Sequence, residues 1–116
     1  PKSVSQEMTF SRDVANPDIL RRELWRMSQG VGRELKHQEL AAETVAVKLR
    51  YADFTTLTRQ MRLAVPTDDE RVIYRAALAL LGRAWQRGRP VRLLGVAGRG
   101  LTRPAGQLPL WLDAKR

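Results

Sequence analysis

The chain has 116 residues, enough for one compact domain and a tail but too few for two ordinary domains. Its 21 Lys and Arg stand against 12 Asp and Glu, and the net charge of +9 points to a polyanionic partner, nucleic acid before membrane. The absence of Cys excludes a disulfide framework and thiolate zinc sites and fits a reducing cytoplasm, while no apolar run is long enough to span a bilayer and no signal peptide is visible.

The chain begins with Pro1-Lys2-Ser3 rather than Met, as expected of a piece of a longer protein. From Lys2 to Val14, KSVSQEMTFSRDV alternates loosely and predicts a strand that buries Val4, Met8 and Phe10. Asn16 offers an N-cap and Pro17 a first helical residue. Leu20, Leu24, Met27, Val31 and Leu35 then form the apolar stripe of an amphipathic helix. Arg21, Arg22, Arg26 and Arg33 lie off the stripe, and Trp25 borders it as packing; Gly30 and Gly32 weaken the last turns.

Thr44 to Val65 reads as a β-hairpin with two unlike faces. Val45, Val47, Leu49 and Tyr51 alternate with Thr44, Ala46, Lys48 and Arg50; Ala52 and Asp53 make a short turn. Leu57, Met61 and Leu63 then oppose Thr56, Thr58, Gln60 and Arg62. One face belongs to a core. The other carries hydroxyls, an amide and cations, a surface suited to phosphates.

Pro66 stops the second hairpin strand, and Thr67 with Glu70 gives the capping-box pattern of a second helix. Its stripe is Ile73, Ala77, Leu80, Leu81 and Ala84, running to Trp85. Gly88 ends it, and Arg89-Pro90 leads into a last strand from Val91 to Val96. The predicted class is α+β in the order β-α-β-β-α-β: a four-stranded antiparallel sheet with both helices on one face and an open basic face. Residues 1–101 form that domain. Residues 102–116, TRPAGQLPLWLDAKR, lose all periodicity yet keep three Leu and a Trp, as a flexible docking tail would.

The chemistry-bearing clusters are few. Asp68, Asp69 and Glu70 sit at a helix N-terminus, where carboxylates cap free N–H groups rather than hold magnesium. Gly95, Gly98 and Gly100 have no helix after them to complete a dinucleotide loop, and predict a bulge or close backbone approach. His37 has no second ligand at metal spacing, and no Ser or Thr has an identifiable base. No metal site, cofactor or small-molecule substrate is expected, and the chain by itself is not equipped as an enzyme. The positive signal is the open face: Lys48, Arg50, Arg62 and Arg92 as phosphate partners, with Ser3, Ser5, Thr56 and Thr58 as neutral donors. An RNA-recognition domain of this topology would place aromatics there.

KSVSQEMTF, KLRYADFTTLTRQ, RPVRLLGV and QLPLW, in that order, resemble the C-terminal little finger domain of Y-family translesion DNA polymerases, most closely the DNA polymerase IV type. The resemblance covers essentially the whole chain. It implies a β-α-β-β-α-β domain whose sheet lies in the DNA major groove beside the primer–template junction and grips damaged or intact DNA without reading its sequence. It implies a parent enzyme of DNA repair, replication and the SOS response in a bacterial cytoplasm, at the nucleoid. The catalytic carboxylates and their Mg2+ would lie in a palm domain upstream. By position, Lys2 and Ser3, Thr58 and Arg62, and Arg92 match family DNA contacts, whereas Ala97 stands where some relatives have Arg. Gln107-Leu108-Pro109-Leu110-Trp111 is similar to the sliding-clamp motif, with Gln107, Leu108, Leu110 and Trp111 entering an apolar cleft and Trp111 replacing a commoner Phe. The alternatives are a catalytically inactive paralogue of the same family, an RNA-binding or ribosome-associated module of similar topology, and a ligand-sensing regulatory domain with a pocket on the open face.

Overall fold

Asn16 starts the first helix in the way its sequence predicts: its side chain accepts a hydrogen bond from Asp18 N at 2.8 Å, and Pro17 occupies the first turn, where no N–H partner is required. In the computed structural model, which describes residues 3–103, the chain runs β1 (Ser3–Val14), α1 (Pro17–His37), β2 (Ala41–Tyr51), β3 (Thr56–Thr67), α2 (Glu70–Ala84) and β4 (Val91–Thr102). The strands form one antiparallel sheet in the order β1-β4-β2-β3. Helix α1 lies over β1 and β4, α2 lies over β2 and β3, and the two helices pack against each other on the same side. This is the predicted α+β architecture, with the other side of the sheet left without helices.

The core sits between sheet and helices. Both predicted helical stripes are buried, and Val45, Val47, Leu49 and Tyr51 of β2 meet them with Leu94 and Val96 of β4. Burying each large aliphatic side chain contributes roughly 1.5–3 kcal/mol, so the stripes rather than helix propensity hold α1 and α2 in place. Tyr51 also ties the end of β2 to the end of α2. Its hydroxyl donates to Ala84 O at 3.2 Å and accepts from Gln86 N at 2.8 Å, while the Arg89 guanidinium stacks 3.7 Å above its ring.

Gly30 and Gly32 do not fray α1, which continues to His37. They are close-approach points. A Cβ on Gly30 would lie 2.8 Å from Gln6 Cδ of β1, and one on Gly32 3.2 Å from the Asp68 carbonyl oxygen just before α2. Tertiary packing outweighs the glycine penalty there.

Four local expectations are corrected. The hairpin connection is four residues, 52–55, rather than Ala52-Asp53 alone. A two-residue hairpin turn favours Gly or Asn at positive φ, which Ala-Asp does not supply. The chain instead places Phe54 at φ 69°, with Phe54 N donating to Tyr51 O, Tyr51 N donating to Thr55 O, and Asp53 Oδ1 accepting from Thr55 N, all at 2.9 Å. The N-cap of α2 is Asp69, not Thr67: Asp69 Oδ1 accepts from Arg71 N at 2.9 Å, and Thr67 Oγ1 accepts from Asp69 N at 3.0 Å to shape the entry. Glu70 lies 3.7 Å from Lys36 of α1. Finally, β4 does not end near Val96 but runs to Thr102, because Gly98 and Gly100 accommodate crowding instead of breaking the strand. Pro66 stays inside β3, which is an edge strand, where a missing N–H costs no ladder bond.

Candidate nucleic-acid interface

Side chains alternate across a strand, so the register fixes what lies on the open face. Reading β1, β4, β2, β3, four rows cross it: Ser3–Arg99–Thr44–Arg62, Ser5–Ala97–Ala46–Gln60, Glu7–Gly95–Lys48–Thr58 and Thr9–Leu93–Arg50–Thr56. The rows contain hydroxyls, an amide, four cations and one acid, and no aromatic side chain. Gly95, Ala97 and Ala46 give the centre a low floor. There a depression of about 170 Å³ opens, bordered by Glu7, Lys48, Thr58 and Arg99. Leu93 is the large aliphatic member of the rows, and it is only 5% exposed.

The cations differ in how they are held. Lys48 reaches Glu7 at 3.4 Å across the strand carrying Gly95. Arg50 Nε donates to Thr56 Oγ1 at 2.9 Å, so the cation is oriented along its row. Arg99 Nη1 donates to Gln60 Oε1 at 2.8 Å, linking β4 to β3 over β2. Arg62 makes no hydrogen bond or ion pair among the described residues. Such exposed contacts position side chains and add little stability.

Arg92 occupies a special place. The ladder slips between the Arg50–Leu93 and Tyr51–Val91 pairs, and Arg92 is the extra residue of that bulge. Val91 and Val14 pair on the core side, which turns Asp13 and Arg92 toward the open face. Arg92 Nε donates to Asp13 Oδ1 at 3.1 Å, and its guanidinium carbon lies 4.9 Å from the centre of the Phe54 ring. Arg92 thus stands at the hairpin end of the face with its charge partly met by a carboxylate.

Of the sequence-predicted residues, Ser3, Ser5, Lys48, Arg50, Thr56, Thr58 and Arg62 share the rows, and Arg92 borders them. Lys2 and the tail residues Gln107, Leu108, Leu110 and Trp111 lie outside the described residues. Sequence reasoning missed Arg99, because it closed the last strand at Val96; the continued alternation Leu93, Gly95, Ala97, Arg99 carries the signal. It also missed Glu7, whose parity with Ser3 and Ser5 puts an acid among the cations. At the start of α2, Asp69 caps the helix and pairs with Arg71, Glu70 lies beside Lys36, and the Asp68 carbonyl accepts from Lys36 Nζ. Among the described residues no three His, Asp or Glu side chains come together as metal ligands, and no helix is long and apolar enough to cross a membrane.

The family model described as the impB/mucB/samB family C-terminal domain matches residues 1–110. A protein named DNA polymerase IV from Dehalococcoides mccartyi (strain CBDB1) is 38% identical over 110 residues, covering 94% of this chain and 28% of that protein. Another of that name, from Methanoculleus marisnigri, is 42% identical over 95 residues, 82% of this chain and 26% of the relative. The chain therefore spans about a quarter of the length of these relatives. Among solved structures, a complex of a beta-clamp processivity factor and the little finger domain of PolIV superposes with a TM-score of 0.68 at 22% identity, over 92% of this chain and 93% of the other. An insertion ternary complex of Dbh DNA polymerase gives the same TM-score at 13% identity, over 87% of this chain and 29% of that one. At those identities the superpositions establish the fold.

Proposed function

This chain belongs to the impB/mucB/samB family as its C-terminal domain, and from that membership we propose that it is the sequence-independent DNA grip of an error-prone lesion-bypass polymerase, tethered by its tail to a sliding clamp. The reading rests on one observation above others. Four aligned rows present a hydroxyl or a cation from every strand, over a floor of Gly and Ala, with no aromatic to stack bases. Guanidinium, ammonium and hydroxyl groups serve phosphate oxygens, and phosphate contacts carry no sequence information. A polymerase that must hold a distorted template gains from contacts indifferent to the bases. The missing aromatics favour duplex DNA over single-stranded RNA, whose recognition depends on stacking.

In this proposal residues 1–101 hold primer–template DNA, damaged or intact, and residues 102–116 carry the clamp motif through Gln107, Leu108, Leu110 and Trp111. That a structurally similar PolIV little finger was solved with its beta-clamp supports the second half. Polymerase chemistry, with its Mg2+, belongs to other parts of a parent chain; the residues of this piece bind and orient DNA.

The test is fluorescence anisotropy of this chain on a primer–template duplex across a salt series, with an unrelated-sequence duplex and single-stranded RNA beside it. Both duplexes are expected to bind equally. Log K should fall by roughly 0.9 per neutralised phosphate for each decade of salt. Absence of duplex binding at low salt, or tighter binding to the RNA, overturns the proposal.

A further inference from the structure

Among the described residues, two non-glycines, Glu39 and Phe54, have positive φ, two large apolar residues, Phe54 and Val65, are exposed, and Phe54 alone is both. It is a bulky aromatic in the left-handed region at φ 69°, where a Cβ is unfavourable and Gly or Asn is the usual occupant. Its side chain is 64% exposed, so the strain is not offset by burial in the core. The turn's hydrogen bonds hold the backbone in this conformation, but they give no reason for a large exposed ring at a position where Gly or Asn would serve. The ring does not collapse onto the sheet. Arg92, fixed by hydrogen bonds to Asp13 at 3.1 and 3.5 Å, places its guanidinium carbon 4.9 Å from the ring centre. An Asx-type turn at Asp53 holds the backbone behind it, with Asp53 also tied to Arg89 at 2.8 Å.

The surroundings indicate what such a ring would take. Two residues on is Thr56, the first member of the phosphate-facing row that continues to Arg50. The ring is therefore continuous with the basic face. A lone aromatic bordered by the Arg92 guanidinium, without an apolar groove, suits a flat π-face carried on an anionic backbone. We infer that Phe54 is a stacking platform for the first unpaired nucleobase where duplex DNA held on the open face gives way to single strand. The grip by itself is uniform along a duplex; this contact would mark its end. The inference rests on the proposed DNA grip and extends it from backbone to base.

The experiment uses this chain with a blunt duplex and a primer–template duplex carrying 2-aminopurine at the first unpaired template position. Phe54→Gly removes the ring while supplying the residue that best tolerates the φ of this turn, and Phe54→Trp keeps a stacking surface. Wild type is expected to change the 2-aminopurine fluorescence on binding and to prefer the overhang by roughly fivefold or more, the range of one base–aromatic stack. Phe54→Gly should lose both effects while retaining blunt-duplex affinity, its salt slope and the melting temperature. Phe54→Trp should retain both. Blunt-duplex binding with no fluorescence response in wild type, or an equal response in Phe54→Gly, overturns the contact alone. Failure of wild type to bind either DNA overturns the grip and the contact together.

Discussion

Lys48 and Glu7 meet at 3.4 Å although they belong to strands that are not neighbours. Gly95 lies between them in both registers, and its missing side chain leaves the space their side chains cross. With side chains 39% and 49% exposed, the pair is well screened and holds little of the fold together. Its consequence is electrostatic: an acid is seated among the cations of the face and competes for one of them.

Glu7→Gln should therefore tighten duplex binding. The substitution removes the only carboxylate in the rows and releases Lys48 for phosphate. The salt dependence is expected to steepen by at most about 0.9 in d log K/d log[salt], one further released counterion. Anisotropy titrations at several salt concentrations measure both quantities, and unchanged affinity would remove Lys48 from the contact set.

Arg62 and Arg99 lie in one row, separated by Thr44. Arg62→Ala and Arg99→Ala should each weaken binding equally on unrelated sequences and flatten the salt slope by about 0.9. Arg92→Ala should flatten it less, because Asp13 already meets part of that charge. Equal slopes for all three variants would mean that Asp13 releases Arg92 when DNA arrives.

The tail is tested separately. Replacing Gln107 and Leu110 with Ala should abolish binding to a bacterial sliding clamp in a pull-down or surface-binding assay while leaving DNA affinity and its salt slope unchanged. Loss of both activities together would show that the tail residues contribute to the folded domain rather than to a tether.

The element order, both helical stripes and the parity of the hairpin were legible because burial imposes periods of 3.6 and 2 on the residues themselves, as in Leu20 to Leu35 and Val45 to Tyr51. What escaped depended in part on contacts between distant parts of the chain and in part on close local choices. Gly98 and Gly100 read as a bulge or close approach, and Ala42 and Glu43 do crowd them, but the last strand was closed at Val96, so Arg99 was lost from the face. Asp69 displaced Thr67 as the helix cap, a choice between residues two positions apart with similar propensity. The left-handed Phe54 is not signalled by its own residue type, since the turn is shaped by hydrogen bonds of Tyr51, Asp53 and Thr55 around it.

Acid should weaken the fold through Asp53 and Asp69. Hydrogen bonds from the Arg71 side chain and then its backbone N–H hold Asp69 below its ordinary value near 3.8, and the Thr55 backbone N–H, with Arg89 further down, does the same for Asp53. Because the folded values are depressed, their contribution is present above the unfolded value and is lost as pH falls through the folded one. The urea midpoint should therefore drop below about pH 4. An Asp53→Asn, Asp69→Asn double variant retains an acceptor at both turns and should show a shallower drop. Identical pH profiles would exclude these two carboxylates as contributors.

Gly95 and Gly98 form a matched pair on β4, one facing the open side and the other the helices. A Cβ on Gly98 would lie 3.0 Å from Ala42 Cβ and 3.5 Å from Val31 Cγ1, in the layer where α1 rests on the sheet. Neither neighbour has a flexible end that can move aside. A Cβ on Gly95 would meet nothing nearer than Gln6 O at 3.4 Å, an ordinary contact. Gly98→Ala should thus destabilise by about 1–3 kcal/mol through overpacking, seen as a lower urea midpoint at unchanged m-value. Gly95→Ala should change stability by no more than about 0.5 kcal/mol, while raising the floor of the depression and reducing duplex affinity. If Gly98→Ala were instead neutral, α1 would have room to lift from β4, and the close packing of helix on strand could not be what keeps the last strand continuous to Thr102.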